Sequence, residues 1–332
     1  DLKLLNIEFD KFSFETDIVS SNIINDLFKI LDDSNLLYNG ILEKPKGEDI
    51  DDWEPRSQLL FKSSQIFDDQ DRALKKSNGE WTYFANDAAY HYDKIKRNFD
   101  KLINIWGSDH FGYINRMKSI VSAMSDKSDI LDVNVCQLVR LLKNGAALKM
   151  SKRDGNFITL KEIFESVGKD SIRYYMISSK NETPMDFDLS KVVEKNKDNH
   201  VFYCQYAYAR ATSVISKAEK INFKVSFDSF DKLNFNTFSS YEYDIILKLI
   251  SWPYVLKQSS IFQQPHRITN YIEDLCSHFH SFWNKGKDDQ SLRFIDEVDT
   301  EKTISKLIWI ECFRIVLRNS FKIIGIDTLE KM

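Results

Sequence analysis

Long segments of helical periodicity occupy most of the second half of the chain. Apolar residues recur in them at the three- and four-residue spacing of one helix face. The segments span residues 199–218, 240–257, 267–285 and 302–323. Few residues interrupt these patterns, because the whole chain holds only 10 Gly and 5 Pro. The second half is therefore predicted to form an all-α helical bundle, with a domain boundary between residues 180 and 181.

The first half alternates between short apolar runs and helical segments. Residues 102–106 end at Gly107 and suit a buried strand. Residues 111–124 carry apolar side chains along one side of a helix, and residues 131–142 suit a strand or a strand pair. Such alternation is typical of a parallel α/β sheet. We therefore expect an α/β domain over residues 1–180.

Two other stretches of the first half have weaker patterns. Residues 22–37 have helical spacing, and Tyr38-Asn39-Gly40 predicts a turn after them. Residues 43–80 are charged and rich in loop-forming residues. We interpret them as an insertion with short strands or hairpins, in which Ser77-Asn78-Gly79 is the clearest turn.

The composition excludes several classes of protein. The chain has 46 basic and 50 acidic residues and a net charge of −4, so any contact with nucleic acid must come from local patches. The four cysteines are widely spaced without a CxxC pair, which argues against a disulfide framework or a zinc site. No apolar run reaches about 18 residues, the length of a membrane span. We expect a cytoplasmic protein with no membrane partner and no protein-bound structural metal.

A basic loop between a predicted strand and a predicted helix carries the most specific local motif. Its residues are Lys149, Met150, Ser151, Lys152 and Arg153. Two lysines three positions apart can close over a polyphosphate and stabilise the charge that develops when pyrophosphate leaves. A capping box of Thr159 and Glu162 starts the next helix, which ends near Gly168 before a helix capped by Asp170. A solvated basic turn is the alternative interpretation.

This motif resembles the second signature of class I aminoacyl-tRNA synthetases, and further blocks resemble arginyl-tRNA synthetases in particular. The blocks are residues 53–61, 81–94, 106–116, 199–210 and 311–332. The resemblance implies the second half of a class I Rossmann-type nucleotide-binding domain over residues 1–180. It also implies an all-α helical-bundle anticodon-binding domain over residues 181–332.

One signature of that family is absent from the sequence. Class I synthetases carry an H-x-G-H motif in the first half of their nucleotide-binding fold, and none of the six histidines here starts one. The segment His110-Phe111-Gly112-Tyr113 is a superficial near-match that lies too close to Lys149. The chain therefore resembles the C-terminal part of an arginyl-tRNA synthetase, and we expect it to be inactive by itself.

A tyrosine and an aspartate four residues apart are the candidate substrate-binding pair. A helix would place Tyr83 and Asp87 on one face, and a carboxylate beside a phenol suits a guanidinium. By resemblance, these two residues bind arginine, and His110 lines the same pocket. The residues alone leave structural roles open: Asp87 as a helix cap, Tyr83 as a core residue and His110 as a structural imidazole. Asp109 either acts on the ribose or the loop that holds His110, or caps the helix at 111–124.

An aromatic cluster at the start of the bundle is the candidate RNA-binding surface. It contains Tyr203, Gln205, Tyr206, Tyr208 and Arg210. Aromatic rings stack on unpaired bases, and Arg binds phosphate. Because some of these side chains must face the core, Tyr206 and Arg210, at positions i and i+4, are the predicted tRNA-binding pair. By resemblance Met332 touches the anticodon, with core packing as the alternative.

The resemblance implies that the parent protein joins arginine to tRNA(Arg) with ATP, which Mg²⁺ accompanies. Lys149 and Lys152 are the implied catalytic residues, and residues 149–153 form the implied ATP site. A non-catalytic tRNA-binding or RNA-binding paralogue is the main alternative, and the missing H-x-G-H motif fits it. The third interpretation is a different class I synthetase that shares the basic loop. The blocks at 81–94 and 199–210 argue against it.

Overall fold

A computed structural model describes residues 1–42, 56–125, 127, 129–148, 158–225, 230–231 and 233–332. These residues pack into two compact units. One unit spans Phe9–Leu138, and the other combines Asp1–Glu8 with Val139–Met332. The domain boundary between residues 180 and 181 stays a prediction. Among the residues described, no helix has the length and apolar character needed to cross a membrane.

The unit over Phe9–Leu138 combines helices with two small sheets. Its helices are α1 Glu15–Ser20, α2 Ile23–Asp33, α3 Tyr83–Lys96 and α4 Ile114–Met124. Its strands are β1 Leu37–Gly40, β2 Gln58–Phe61, β3 Arg72–Lys75, β4 Leu102–Gly107 and β5 Leu131–Cys136. Strands β1, β2 and β3 form an antiparallel sheet in that order, and β4 pairs with β5 in parallel. The parallel pair and the strands in the insertion confirm the predicted α/β character of this region.

Two local predictions in this unit are wrong. The predicted turn at Tyr38-Asn39-Gly40 is part of strand β1, in which Tyr38 pairs with Leu60 of β2. A distant strand satisfies the backbone groups of this segment, and local turn chemistry does not reveal that partner. The predicted buried strand over 102–106 is a strand, but Ile103 and Ile105 are exposed while Leu102 is buried. Successive side chains of a strand point to opposite sides, and only one side is covered within this unit.

Helix α3 positions the candidate site, and its start follows from the sequence. The hydroxyl of Thr82 accepts a hydrogen bond from the backbone N–H of Ala85 and caps the helix. Ala85, Ala88 and Ala89 are fully buried. Their small side chains let α3 lie close to α2 and α4. The polar residues on the opposite side of α3 therefore face away from the core.

The second unit joins a small sheet to a helical bundle. Its strands are β6 Val139–Lys143, β7 Ala146–Ala147 and β8 Met185–Asp188, and its helices are α5 Leu160–Ile177, α6 His200–Lys220, α7 Ser240–Ile261, α8 His266–Asp288 and α9 Thr300–Ile324. Strand β6 pairs with β8 in parallel and with β7 in an antiparallel hairpin. Positive φ angles at Asn144 and Gly145 make the predicted turn of that hairpin. The four helices after α5 confirm the helical segments predicted for the second half.

Helix α5 begins as predicted but uses Asp170 differently. The capping box of Thr159 and Glu162 is present, and Gly168, at φ 77°, breaks the helix. The Asp170 carboxylate accepts hydrogen bonds from Gln205 Nε2 at 2.7 Å and from the backbone N–H of Asp327 at 3.2 Å. The predicted cap at Asp170 is therefore wrong, because this side chain joins α5 to α6 and to the end of the chain.

Candidate functional site

A cavity of about 400 Å³ opens beside the N-terminal half of α3. Its lining includes Tyr83, Asp87, Lys94, Trp106, His110 and Tyr113. The structure thus brings together the three residues proposed for arginine from the sequence. All of them lie within the Phe9–Leu138 unit, so one packed core positions them.

The geometry of α3 excludes two of the structural alternatives. Thr82 is the N-cap of the helix, and Asp87 lies inside it, so Asp87 is not a cap. Tyr83 is 84% exposed, so it is not a core residue. The spacing of four residues does place both side chains on the cavity side of α3, as predicted.

The carboxylate of Asp87 is half-buried, and among the described residues one side chain, Tyr113, is hydrogen-bonded to it. Its Oδ2 accepts a hydrogen bond from the hydroxyl of Tyr113 at 2.9 Å. Burial raises the pKa of Asp87, and the hydrogen bond from Tyr113 opposes that rise. Glu15 adds to the rise by charge repulsion. A cationic ligand would offset both the cost of burying the negative charge and the repulsion from Glu15, so the site favours a cation.

His110 lies at the rim of the cavity on a short 3₁₀ helix, Ser108–Tyr113, that follows β4. Its ring meets the ring of Trp106 edge to face at 6.3 Å, and its Nε2 lies 3.6 Å from Oδ2 of Asp109. Both side chains are largely exposed. Helix α4 starts only at Ile114, so Asp109 does not cap it, and the predicted alternative for Asp109 is wrong.

A chain of hydrogen bonds at the inner side of the cavity is not predictable from the motifs of the sequence. Asn104 Nδ2 lies 2.7 Å from Nε2 of His91, and Nδ1 of His91 lies 2.7 Å from the carbonyl oxygen of Asp87. Lys94 donates to Oδ1 of Asn104 at 3.0 Å. A carbonyl oxygen only accepts, so these contacts assign the proton to Nδ1 and leave Nε2 as an acceptor.

Burial and the nearby Lys94 lower the pKa of His91 to about 4. His91 is therefore neutral at physiological pH, as the hydrogen bond from Asn104 requires. The sequence does contain one signal for this contact. Position 91 is four residues after Asp87 on a helix, so its ring can reach that carbonyl oxygen. The partners Asn104 and Tyr113 come from other elements and give no such signal.

A second cavity, of about 590 Å³, lies in the other unit. It is lined by Tyr206 and Met332 together with Phe202, Leu329, Lys195 and Lys331. The Tyr206 and Phe202 rings stack at 5.9 Å, and Met332 is 49% exposed. The alternative interpretation, in which Met332 packs in the core, is therefore wrong. Asp170 and Glu194 also line this cavity. Its aromatic rings and lysines are the kinds of side chain that contact a single-stranded nucleic acid.

Arg210 is held by its own bundle. Its guanidinium donates to the hydroxyl of Tyr206 at 3.0 Å and to Nδ1 of His280 at 2.9 Å. It also stacks 4.1 Å from the Tyr206 ring and 5.0 Å from the Trp283 ring. Burial lowers the pKa of His280 to about 4, so this imidazole is neutral and accepts from Arg210. The arginine thus fixes the orientation of Tyr206.

Two other residues of the aromatic cluster face the core. Tyr208 is 2% exposed, and the buried Gln205 donates to Asp170 and to the carbonyl oxygen of Asp327. The Tyr208 side chain is therefore not available to a base, whereas Gln205 borders the second cavity with its amide nitrogen already hydrogen-bonded. The loop residues Lys149, Met150, Ser151, Lys152 and Arg153 lie outside the described residues. In the part of the chain described, no group of three or more His, Cys, Asp or Glu side chains could hold a metal ion.

Comparison with known sequence families yields two matches along the chain. Residues 75–188 match the family described as class I tRNA synthetases of the I, L, M and V types. Residues 204–332 match the DALR anticodon binding domain. The first match contains the Asp87 cavity, and the second contains Tyr206, Arg210 and Met332.

Curated relatives extend the similarity over the whole chain. It is 43% identical over 334 residues to an arginine–tRNA ligase of Parvibaculum lavamentivorans and 44% identical over 334 residues to one of Pelagibacter ubique. Both alignments cover 100% of this chain and 57% of the relative. The chain therefore spans little more than half the length of these relatives.

Solved structures share the fold. A structure described as an arginyl-tRNA synthetase from Campylobacter jejuni superposes with a TM-score of 0.80 at 27% identity, covering 100% of this chain and 66% of the other. Thermus thermophilus arginyl-tRNA synthetase superposes with a TM-score of 0.78 at 16% identity, covering 100% of this chain and 62% of the other. The fold is that of a class I aminoacyl-tRNA synthetase followed by a helical anticodon-binding domain. Within that class, the chain is similar over its whole length to arginyl-tRNA synthetases.

Proposed function

We propose that the protein containing this chain is an arginine–tRNA ligase. The arginine carboxylate attacks the α-phosphorus of ATP, which gives arginyl-adenylate and releases pyrophosphate. The terminal ribose hydroxyl of tRNA(Arg) then attacks the arginyl carbonyl and displaces AMP. Positioning and electrostatic stabilisation supply the rate, and no covalent enzyme intermediate is needed.

The Asp87 cavity is the observation that carries this proposal. Asp87 accepts the substrate guanidinium, and the exposed Tyr83 forms the phenolic wall beside it. The raised pKa of Asp87 supports the assignment, since a bound cation would compensate the burial that causes the rise and favour the charged carboxylate. His110 lines the same cavity near the end of β4 and contacts the amino-acid or adenosine part of the substrate.

The basic loop handles ATP in this proposal. Residues 149–153 close over the triphosphate, and Lys149 and Lys152 stabilise the departing pyrophosphate. Mg²⁺ enters as a complex with ATP and is part of the substrate. In the full protein, Lys152→Ala should lower kcat for pyrophosphate exchange by about 10²–10³, because a contact made mainly in the transition state is worth roughly 2.7–4 kcal/mol. If KM for arginine rises at constant kcat, Lys152 is a ground-state binder.

The helical bundle supplies the tRNA contact. Tyr206 and Met332 offer stacking and apolar surface to unpaired anticodon-loop bases, and Arg210 holds Tyr206 and lends positive charge. The division into a catalytic region over residues 1–180 and an anticodon-binding domain over residues 181–332 belongs to the same proposal. Four cysteines without a disulfide support a reducing compartment such as the cytoplasm.

A pyrophosphate-exchange assay tests the function. The full protein that contains this chain should exchange pyrophosphate into ATP when arginine and tRNA(Arg) are present, and it should charge that tRNA. The 332-residue chain alone should do neither, because it lacks an H-x-G-H motif. Binding of tRNA by the full protein without any arginine-dependent exchange would favour the non-catalytic paralogue instead. Exchange that depends on another amino acid would favour a different class I synthetase.

A further inference from the structure

Tyr113 makes the side-chain contact that orients the proposed guanidinium acceptor. Its hydroxyl donates to Oδ2 of Asp87 at 2.9 Å. Within the described residues, no hydrogen bond to Oδ1 of Asp87 is seen, and the cavity lies beside this carboxylate. A carboxylate on a helix can rotate about its side-chain torsions, so a fixed donor on one oxygen restricts where the other oxygen points.

Tyr113 is itself held from three sides. Its ring meets Phe84 edge to face at 6.2 Å and Trp106 at 5.9 Å. The guanidinium of Arg116 lies 4.8 Å from the ring centre. Tyr113 comes from the end of the 3₁₀ helix after β4, whereas Asp87 belongs to α3. The hydrogen bond therefore ties the acceptor on one element to a rigid aromatic cluster on another.

The phenol is suited to act as a permanent donor. Burial and the neighbouring Asp87 raise the pKa of Tyr113, so its hydroxyl stays protonated over the working pH range. A protonated hydroxyl donates one hydrogen bond to Oδ2, and the negative charge stays on Asp87. It thereby stabilises the charged form of the carboxylate, which is the form that binds a cation.

We propose that Tyr113 is a positioning residue for substrate binding: it holds Oδ2 of Asp87 so that Oδ1 faces the cavity and receives the guanidinium. This inference rests on the proposed function, in which Asp87 binds arginine. Tyr113 acts through Asp87 and makes no hydrogen bond of its own to the substrate. It therefore sets the affinity for arginine, while the chemistry at phosphorus depends on other groups.

The substitution Tyr113→Phe in the full protein tests the proposal, since it keeps the packing against Phe84 and Trp106 and removes only the hydroxyl. KM for arginine in tRNA-dependent pyrophosphate exchange should rise about five- to tenfold, with kcat and KM for ATP within twofold. Tyr92→Phe is the matched control, because Tyr92 is a half-buried tyrosine of α3 outside the cavity lining. The control should leave all three constants unchanged.

The pH profile separates positioning from a merely structural role. Loss of the Tyr113 hydrogen bond should raise the pKa of Asp87 further, so on acidification arginine kcat/KM should begin to fall at a higher pH than in the wild type. The other charged groups that act on Asp87 are Glu15 of α1, His110 and Lys94, and the substitution leaves them all in place. KM and the pH profile do not depend on the fraction of active enzyme, so partial unfolding does not imitate either result.

Asp87→Ala distinguishes failure of this inference from failure of the proposed function. If Asp87→Ala leaves KM for arginine unchanged, the arginine pocket itself is wrong. If Asp87→Ala raises that KM but Tyr113→Phe changes neither KM nor the pH profile, the pocket stands and the positioning role fails. A rise in KM without a shift of the pH profile would mean that the hydroxyl contacts arginine directly, which also overturns the proposal.

Discussion

The cavity beside Asp87 and the cavity beside Met332 differ in how far their polar groups are already hydrogen-bonded. Asp87 has one donor, Tyr113, and burial raises its pKa. Arg210, in contrast, donates to both Tyr206 and His280 and stacks on two rings. The first cavity thus contains a charge to which the described residues give one side-chain donor. The charge of Arg210, which lies beside Tyr206 of the second cavity, is hydrogen-bonded within its own bundle.

The difference indicates two modes of recognition. A half-buried carboxylate favours a compact cation when one of its oxygens accepts no hydrogen bond from the described residues, as for Oδ1 of Asp87. The cation then supplies a hydrogen-bond donor and a positive charge to that oxygen. A fixed aromatic ring beside an exposed methionine favours stacking and apolar contact, which tolerate a larger and more mobile ligand. In this comparison Arg210 orients Tyr206, and the proposed tRNA contact of Tyr206, Arg210 and Met332 stays a prediction.

The largest effect is expected from Asp87→Asn in the full protein. The substitution keeps the size of the side chain and removes its charge, and a buried, unpaired guanidinium costs roughly 2–5 kcal/mol. Arginine kcat/KM in pyrophosphate exchange should fall by several tens-fold or more, while KM for tRNA stays the same. Asp100→Asn is the matched control, because Asp100 is fully exposed in the same unit. A fall of less than about threefold in arginine kcat/KM would mean that the charge of Asp87 does not bind the substrate, and the contrast in recognition between the two cavities would not hold.

A smaller and complementary effect is expected from Tyr206→Ala. Loss of a ring that stacks on a base costs roughly 1–3 kcal/mol, so KM for tRNA in the charging reaction should rise about 5- to 100-fold. KM for arginine should not change. Tyr254→Ala, at a 66% exposed tyrosine of the same bundle outside the cavity, serves as control. Equal losses in the two variants would show that the Tyr206 surface has no special role.

A more modest effect is expected from Tyr83→Phe. Only one hydroxyl hydrogen bond to the substrate is removed, which is worth about 1–2 kcal/mol. Arginine kcat/KM should therefore fall less than in Asp87→Asn. The melting temperature should stay unchanged, since Tyr83 is 84% exposed. A drop in melting temperature with unchanged kinetics would assign Tyr83 to the framework of the unit.

The smallest expected effect is a dependence of the free energy of unfolding on pH, and it applies to both units. The pKa of His280 is about 4 in the folded protein and about 6.5 in an unfolded chain, so unfolding favours proton uptake below pH 6.5. The stabilising contribution is present above that pH and is lost as the pH falls toward 4. Between about pH 7 and pH 5.5 the free energy of unfolding should fall by about 1 kcal/mol because of this residue alone.

His280→Gln should remove that part of the pH dependence in urea titrations of the full protein, since Gln does not titrate. His278→Gln is the control, because His278 lies on the same helix and is 36% exposed. His91 has a similarly low pKa, so a residual pH dependence should remain in the Asp87 unit. An unchanged slope in His280→Gln would mean that His280 is not a buried neutral imidazole.

Several features of the protein follow from residues that are near one another in the chain. The helices α6 to α9 arise from apolar spacing, and the capping box of α5 arises from Thr159 and Glu162. The common face of Tyr83 and Asp87 has the same origin, since a spacing of four residues is one helical turn. Each of these patterns is complete within a few residues, so the sequence predicts it without knowledge of the fold.

Other features depend on partners that are far away in the chain. Tyr38-Asn39-Gly40 has the composition of a turn but becomes a strand because β2 supplies its backbone partners. Asp170 has the position of a cap but bonds to Gln205 and Asp327. In both cases the free energy of a tertiary hydrogen bond is comparable to that of the local preference. The tertiary contact can therefore decide which arrangement forms.

The candidate site combines both kinds of information. Spacing along the chain places Asp87 and Tyr83 together, whereas tertiary packing brings Tyr113 to Asp87 from 26 residues away and Asn104 to His91 from 13 residues away. A phenol or an amide has no sequence pattern that names its partner, because a hydrogen bond depends on distance and direction in space. The sequence therefore shows which protein group can bind the ligand, the carboxylate of Asp87. The orientation and ionisation of that carboxylate arise only when α3 packs against β4 and the residues that follow β4.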